Sequence, residues 1–300
     1  MRRPKADLVY GATGTYKTSN IGRVAHALHK AAGKVTHLVS ADGGGWEPLQ
    51  PLVDAGIMRV WPVRLWPNCI EAVDKACQGY WPIDCDDPLK PLQPPTEALL
   101  KNVGMVALEG LTSFGSLIMG KLKQPGVTLS QAPSYELLDG STKYAGGSMA
   151  AFGFVQDRIY EFVMKSHMIP FVDKVLWTAL EAKGEEEGTK IPIFGPAIEG
   201  KKATGKAGQW FCNLFHMEAV AVAAKVDEKT KQLSLTTEVF LYLRSHADPN
   251  SKVVFPAKVR APFSQAALVP ERMAPDLSEA YKLLDDLKKK ADEELAGGKK

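Results

Sequence analysis

The chain of 300 residues is 45% hydrophobic and 24% charged, which is the balance of a folded globular protein. This composition excludes disordered, collagen-like and coiled-coil chains. Its 37 Lys and Arg residues against 34 Asp and Glu residues leave a net charge of +3, so bulk charge does not indicate nucleic-acid binding. Any such site must be a local group of cations.

Neither a membrane-spanning helix nor a secretion signal is predicted. No segment approaches the roughly 20 consecutive apolar residues that a spanning helix needs, and residues 1–5 lead directly into a strand-like segment rather than into a signal peptide. The four cysteines form no C-x-x-C pair and lack metal-ligand spacing. The sequence therefore predicts a cytoplasmic protein with reduced, structural thiols and no membrane contact.

The start of the chain alternates strand, helix and strand. Residues 6–10 and 35–40 are short apolar runs typical of buried strands. Between them, apolar residues from Ile21 to Leu28 recur at i, i+3, i+4 and i+7, which predicts an amphipathic helix that ends at Gly33. This order predicts a parallel βαβ unit and therefore an α/β protein.

The rest of the chain continues this alternation with long interruptions. Residues 58–100 are rich in Pro and Trp and are expected to cover the sheet as a mostly irregular segment. Residues 123–150 and 182–209 are predicted as long functional loops. We expect a mainly parallel sheet flanked by helices with a C-terminal antiparallel hairpin, in one domain at 1–265 followed by a charged helix and tail at 266–300. The predicted elements after residue 58 are a helix at 69–78, a strand at 102–109, a helix ending near Leu122, a helix at 151–166, a strand at 174–178, paired strands at 216–224 and 233–244, and a helix at 277–296.

The turn after the first strand has the pattern of a phosphate-binding loop. Residues 11–18 read Gly-Ala-Thr-Gly-Thr-Tyr-Lys-Thr and fit G-x-x-x-x-G-K-[ST] except at Tyr16. Such a loop wraps backbone N–H groups around phosphate oxygens at a helix N-terminus, with a lysine for the β- and γ-phosphates and a hydroxyl for Mg²⁺. Lys17 and Thr18 supply these groups, so the sequence predicts a site for ATP with Mg²⁺. The predicted nucleotide-binding residues are Gly11, Ala12, Thr13, Gly14, Thr15, Tyr16, Lys17, Thr18 and Ser19.

Tyr16 stands where the pattern has its second glycine. A side chain there crowds the approach of backbone to phosphate, which predicts slow hydrolysis or nucleotide binding without hydrolysis. The alternative interpretation is a glycine-rich turn that binds nothing. The turn lies between a buried strand and an amphipathic helix, with an acidic strand later in the chain, and this context favours the phosphate loop.

Two acids follow predicted strands, at the edge where parallel sheets bind ligands. Glu109 ends an apolar run and is the Walker B candidate, whose longer side chain is expected either to coordinate Mg²⁺ through water or to act as the base itself. Asp42, after the second strand, is the candidate for activating the attacking water, and Thr178 and Glu181 are candidates for sensing the γ-phosphate. The alternative for Glu109 and Asp42 is a helix-cap or turn carboxylate, and the alternative for Thr178 and Glu181 is a solvated strand end.

Several further segments share their order and residues with one group of proteins. They are residues 39–44 (Val-Ser-Ala-Asp-Gly-Gly), 107–113 (Ala-Leu-Glu-Gly-Leu-Thr-Ser), 177–181 (Trp-Thr-Ala-Leu-Glu), 194–201 (Phe-Gly-Pro-Ala-Ile-Glu-Gly-Lys), 242–244 (Tyr-Leu-Arg) and 256–260 (Pro-Ala-Lys-Val-Arg). With the phosphate loop, the chain resembles the RecA-type ATPase core, and specifically the compact phage RecA-like ATPases linked to single-strand annealing proteins, the fourth Sak group. The chain departs from that group at Tyr16, at Glu109 and at Leu180. In the group, a histidine takes the place of Leu180.

The resemblance implies a RecA-like P-loop core that binds ATP and Mg²⁺ and assembles into a ring or filament. In such assemblies a Lys-x-Arg pair reaches the γ-phosphate of the neighbouring subunit, and Lys258 and Arg260 match that spacing. The alternative for this pair is a basic edge strand. The two long loops hold the positions that face single-stranded DNA, and a single-strand annealing protein is the implied partner. The predicted DNA contacts are Lys201, Lys202 and Lys206, with Trp210 and Phe211 as stacking platforms, against the alternative of a solvated loop with core aromatics.

The sequence thus predicts a phage RecA-like ATPase that acts on single-stranded DNA in recombination or annealing, in the cytoplasm of the host. Two other classes stay open. One is a nucleotide-binding structural or assembly protein whose altered loop does not turn over, and the other is an ATP-driven packaging or helicase subunit. A small-molecule kinase is least favoured because no acceptor site is recognisable.

Overall fold

The computed structural model describes residues 6–122, 134–136, 142–144, 149–185, 192–198, 201–226, 233–247 and 253–297. The strands in this part of the chain are β1 (Ala6–Gly11), β2 (Val35–Ser40), β3 (Met58–Pro62), β4 (Trp81–Pro82), β5 (Leu92–Gln93), β6 (Val103–Glu109), β7 (Ser134–Glu136), β8 (Thr142–Tyr144), β9 (Lys174–Glu185), β10 (Pro192–Pro196), β11 (Leu214–Val226), β12 (Leu233–Tyr242), β13 (His246–Ala247), β14 (Val254–Phe255) and β15 (Arg272–Met273). The α-helices are α1 (Lys17–Ala32), α2 (Gln50–Asp54), α3 (Cys69–Cys77), α4 (Glu97–Leu100), α5 (Leu111–Leu122), α6 (Met149–Ser166), α7 (Lys201–Ala207) and α8 (Leu277–Gly297).

A mixed sheet of 11 strands organises the molecule. Its centre is parallel, in the order β3-β2-β6-β9-β1-β11. Strands β12 and β15 continue the β11 edge in antiparallel orientation, and the second half of β9 pairs antiparallel with β10, which β14 and β13 follow. Because the central strands are parallel, the carboxyl ends of β1, β2, β6 and β9 meet at one edge, where ligands of such sheets bind.

Helices cover both faces of the parallel strands. All six residues of β1 and all seven of β6 are buried, which is why these strands read as continuous apolar runs. One core joins α3, α5 and α6 to the sheet through residues such as Phe114, Phe162 and Trp177. The other joins α1 and α8 through residues such as Ile21 and Leu277. The predicted α/β class, with a mainly parallel sheet and a late antiparallel hairpin, is confirmed.

The structure corrects two predicted interruptions. The segment 182–209 is not one long loop, because β9 runs to Glu185 and the described remainder contains β10 and α7. Gly195 explains the close packing of these elements, since a Cβ on it would lie 2.8 Å from the Thr204 carbonyl oxygen. Residues 58–62 are also a strand of the sheet, paired parallel with β2, rather than part of a covering loop. Most of the predicted loop at 123–150 lies outside the described residues.

The C-terminal helix α8 packs on the sheet through a buried apolar face that includes Leu277, Ala280 and Leu287. Its Tyr281 hydroxyl donates a hydrogen bond of 2.9 Å to Asp7 Oδ2 at the start of β1. Asp7 Oδ1 accepts two further bonds of 2.9 Å from the backbone and the side chain of Asn213. Within the ranges that the structure describes, no helix is both long enough and apolar enough to cross a membrane.

We expect Asp7→Asn to weaken the pH dependence of folding stability. Burial raises the pKa of Asp7 from 3.8 to about 6, so its neutral form stabilises the fold at low pH and this contribution is lost as the pH rises to about 6. The shift corresponds to about 3 kcal/mol of unfolding free energy. Urea denaturation at pH 4 and at pH 7 measures it. The wild type should lose about 2 kcal/mol more than Asp7→Asn across this interval, because pH 4 lies just above the unfolded pKa, and an equal loss in the two proteins would contradict the expectation. Replacing the exposed Asp286 by Asn is the control.

Candidate nucleotide-binding site

The predicted phosphate loop connects β1 to α1 at the carboxyl edge of the sheet. Gly11 ends the strand where nothing larger fits, because a Cβ there would lie 2.2 Å from the carbonyl oxygen of Met217. Gly14 has a left-handed φ of +82°, which lets the loop turn back. The buried Thr15 hydroxyl donates a bond of 2.8 Å to the Ala12 carbonyl and fixes this turn. The loop therefore presents the amino end of α1, with its free N–H groups, to the sheet edge.

Lys17 lies folded over this loop. Its ammonium donates hydrogen bonds to the carbonyl oxygens of Gly11 at 2.9 Å and of Ala12 at 2.6 Å. Burial lowers the pKa of Lys17 to about 8, while the nearby carboxylates of Glu181, Asp42 and Glu109 act in the opposite direction. The lysine is thus held by neutral backbone carbonyls beside three acids, in the position from which it can turn to a phosphate.

Thr18 and Glu109 meet directly, although 91 residues separate them in the chain. The Thr18 hydroxyl donates to Glu109 Oε1, and the Ser40 hydroxyl donates to Glu109 Oε2 at 3.1 Å. Glu109 is 2% exposed. Burial raises the pKa of its carboxyl, although the hydrogen bonds from Thr18 and Ser40 act to lower it. The ends of β2 and β6 therefore place hydroxyl and carboxylate oxygens together at the start of α1.

Asp42 lies half-buried at the same edge, just after β2. The Ser113 hydroxyl, in the first turn of α5, donates to Asp42 Oδ1. Gly110 has a φ of +92° and packs against this carboxylate, since a Cβ on it would lie 2.9 Å from Asp42 Oδ1. The sheet thus brings together the two acids that the sequence singled out, one buried and one accessible to solvent.

The two candidates for γ-phosphate sensing have different environments. Thr178 is buried, and its hydroxyl oxygen accepts a bond of 3.0 Å from the Gly110 backbone N–H, so it fixes the turn after β6. Glu181 acts electrostatically on Lys17, and its Oε2 lies 3.0 Å from Nε2 of His216. No sequence pattern indicated His216, which β11 places beside Tyr10. Burial lowers the pKa of this histidine, against the raising effect of Glu181.

Tyr16 adopts the backbone conformation that the pattern's glycine favours. Its φ is +61°, a left-handed value that non-glycine residues rarely take. The side chain is 53% exposed, so the ring projects from the loop rather than packing in the core. Ser19 lies half-buried in the first turn of α1, whereas Ala12 and Thr13 are exposed at the mouth of the loop.

Lys258 and Arg260 lie toward the other end of the strands. Lys258 forms an isolated bridge with Leu214, the residue that pairs with Leu8, and the Arg260 N–H donates to Asn213 Oδ1 at 2.8 Å. Neither cation lies in a regular strand, because only this single bridge forms there, so the alternative of a basic edge strand is wrong. Lys258 is half-buried and Arg260 is exposed. The geometry does not bring them to the phosphate loop of their own chain.

The predicted DNA-contacting lysines belong to α7 and not to a loop. Lys206 is exposed, and the side chains of Lys201 and Lys202 lie outside what the structure describes. Trp210 is half-buried with its ring 5.5 Å from that of Tyr160. Phe211 is only 1% exposed, so the interpretation of this residue as a stacking platform is wrong and it belongs to the core.

A scan against protein-family models found no matching family, and a search of curated proteins found no similar sequence. The chemistry of the site's own residues indicates what it can bind. A cationic lysine and a helix amino end suit an anion, and hard hydroxyl and carboxylate oxygens suit a divalent cation. Together these groups can bind a polyphosphate with its metal ion at the carboxyl edge of the sheet.

Proposed function

We propose that this protein is a Mg²⁺-dependent ATPase with a RecA-like P-loop core. The observation that carries the proposal is the contact between Thr18 and Glu109 beside Lys17. A turn that merely joined β1 to α1 would need neither a buried carboxylate against its hydroxyl nor a lysine folded over its carbonyls. The parallel sheet, with its acids at the carboxyl edge, supports the RecA-like interpretation.

The division of roles follows from the chemistry of each group. Lys17 and the backbone N–H groups of residues 11–18 bind the phosphates. Thr18 and Glu109 hold Mg²⁺, which neutralises phosphate charge when bound. Asp42 takes the proton from the attacking water, because its carboxylate is partly accessible to solvent whereas Glu109 is buried, and Ser113 orients it.

A second candidate is nucleotide binding without turnover, in an assembly role. The left-handed φ of Tyr16 favours it, because a side chain at a position built for glycine stands next to the phosphate-binding backbone. Both candidates share the binding site and differ only in hydrolysis.

Steady-state ATP hydrolysis with Mg²⁺, with and without single-stranded DNA, separates them when nucleotide affinity is measured in parallel. Turnover stimulated by single-stranded DNA is the expected result. Tight binding without turnover under both conditions would favour the assembly role. Stimulation by duplex DNA coupled to its movement would instead favour a packaging or helicase motor, and absence of nucleotide binding would overturn the proposal.

We further propose that α7 contributes to a surface for single-stranded DNA, in recombination or annealing. Replacing Lys201, Lys202 and Lys206 together by Gln should weaken binding and reduce the slope of log affinity against log salt by about 2, because each phosphate contact contributes about 0.7 to that slope. Fluorescence anisotropy with a labelled oligonucleotide at several salt concentrations measures both quantities. The matched control changes Lys288, Lys289 and Lys290 to Gln, which removes the same charge from exposed positions on α8. Equal slopes in all three proteins would contradict the assignment.

We also propose that Lys258 and Arg260 act on the nucleotide of a neighbouring copy in a homo-oligomer. Because they lie away from their own phosphate loop, Arg260→Ala should lower turnover by about 10²-fold or more while ATP affinity stays within about twofold. Mixing Arg260→Ala with Lys17→Ala subunits provides the test. Each variant is inactive alone, and action between subunits predicts recovered turnover in the mixture. No recovery, at concentrations where the wild type oligomerises, would argue against it.

A further inference from the structure

A second polar cluster lies beside the nucleotide site, on the face of the sheet that Tyr10 presents. His216 and Glu218 come from alternate positions of β11 and therefore share a face, and β13 brings His246 to them. Aromatic rings enclose the cluster. The His216 ring lies 4.7 Å from that of Tyr10 and 5.1 Å from that of His246, which in turn stacks on Tyr242 at 3.6 Å. The rings thus hold the two imidazoles in place, with His216 buried and with His246 and Glu218 half-buried.

Each imidazole forms a hydrogen bond through only one of its two ring nitrogens among the described residues. Nε2 of His216 lies 3.0 Å from Glu181 Oε2, and Nε2 of His246 lies 2.9 Å from Glu218 Oε2. The Nδ1 atoms of both rings are buried and have no hydrogen-bond partner among the residues that the structure describes. Two buried nitrogens without partners, in neighbouring stacked rings, are costly unless a ligand satisfies them.

We propose that His216, Glu218 and His246 form a binding site for a divalent transition-metal ion of the zinc class. One ligand atom from each residue lies within 4.8 Å of the others. Metal–ligand bonds of about 2.0–2.2 Å place two ligands of one ion about 3.3–4.2 Å apart, so the widest pair in the cluster needs to contract by at most about 1.5 Å. Two imidazoles and one carboxylate suit zinc, whereas Mg²⁺ prefers oxygen ligands alone.

Glu181 is a positioning residue for this site. A carboxylate that accepts the remaining N–H of a metal-bound histidine fixes the ring's orientation, and Glu181 stands in that relation to His216. The ion would tie the hairpin strand β11 to β13 next to the nucleotide site. It is distinct from the proposed Mg²⁺ site, which uses Thr18 and Glu109.

Equilibrium dialysis of the full chain, stripped with a chelator and free of nucleotide, tests the proposal with Zn²⁺ as the probe. We expect one ion per chain at micromolar free Zn²⁺, and a visible d–d absorption band of four- or five-coordinate Co²⁺ when cobalt replaces zinc. His246→Gln and Glu218→Gln should each lower Zn²⁺ affinity by about 100-fold or more, and Glu181→Gln by about 10- to 100-fold. Glu218→Gln preserves the size of the side chain, so circular dichroism can show that its loss of metal is not unfolding.

Two controls separate this site from other places where zinc could bind. His26→Gln removes an exposed histidine of α1, and Glu109→Gln removes the proposed Mg²⁺ ligand. Both variants should keep one Zn²⁺ per chain. Absence of stoichiometric binding in the wild type, retention of the ion in Glu218→Gln and His246→Gln, or its loss in Glu109→Gln would overturn the proposal. None of these readouts uses ATP hydrolysis, so failure here and failure of the proposed ATPase function are distinguishable.

Discussion

Replacing Lys17 by Ala is expected to lower ATP affinity by about 100-fold or more and to abolish turnover. A hydrogen bond to a charged group contributes about 1.5–3 kcal/mol. The variant lacks the hydrogen bonds that the ammonium donates to the phosphates and its electrostatic attraction for them. The fold should survive, because the hydrogen bonds of the ammonium to described residues go only to loop carbonyls and the Thr15 hydroxyl. Calorimetric titration with ATP and a thermal melt measure the two effects.

The control for this variant is Lys30→Ala, which removes an exposed lysine from the other end of α1. Its affinity and turnover should match the wild type. Affinity in Lys17→Ala equal to that of the wild type would remove the phosphate-loop interpretation, since no other cation among the described residues of the loop could replace the lysine.

The pKa of Lys17 adds a pH signature to the same residue. Because burial lowers this pKa to about 8 in the free protein, the amine is half deprotonated at about pH 8 and mostly neutral above it. Bound phosphate stabilises the charged form, so binding takes up a proton and ATP affinity should fall as pH rises above about 8. Lys17→Ala should lack this dependence. Titrations at pH 7 and pH 9 give the comparison.

Glu109→Gln is expected to lower turnover by about 100-fold or more and to leave ATP affinity in the absence of Mg²⁺ nearly unchanged. The amide keeps the size of the side chain and can still bond to the Thr18 and Ser40 hydroxyls, but it lacks the charge that holds a divalent cation. Turnover against Mg²⁺ concentration, with ATP affinity measured in chelator, separates the two effects. Replacing the exposed Glu97 by Gln is the control.

The same variant should be more stable than the wild type at neutral pH. Burial raises the pKa of Glu109, so the neutral form stabilises the fold at low pH and this contribution is lost as the pH rises through the folded pKa. An uncharged amide avoids that loss, and a gain in stability with a loss of activity is typical of functional carboxylates. Glu109→Gln with normal turnover, or with a lower melting temperature at pH 7, would contradict the assignment.

Local patterns in the sequence determined the elements around the loop. Both β1 and α1 form as predicted. Their signals are local: an apolar run before Gly11, helical spacing from Ile21, and Gly33, which has a φ of +63°. The run that ends at Glu109 likewise forms a fully buried strand. Residue type and spacing are enough to predict an element when its burial and backbone conformation depend on residues that are close in the chain.

Tertiary contacts decided where the sequence pattern was weak. The Gly- and Lys-rich segment after residue 200 has the composition of a loop, yet α7 forms because the buried Thr204 and Ala207 pack against neighbouring elements, among them Gly195 of β10. Phe211 is core for the same reason. Propensity is a small local term, and burial against a distant element outweighs it.

Local sequence patterns were therefore enough to predict the turn after β1, the helix that follows it and the acids that end buried strands. Long-range folding sets which of these groups meet: Thr18 with Glu109, Asp42 with Ser113, and Glu181 with His216. Strand order in a sheet depends on pairing between residues far apart in the chain, and no local periodicity encodes it. For the same reason, no sequence pattern indicated the cluster of His216 and His246, whose ring centroids the fold brings to 5.1 Å.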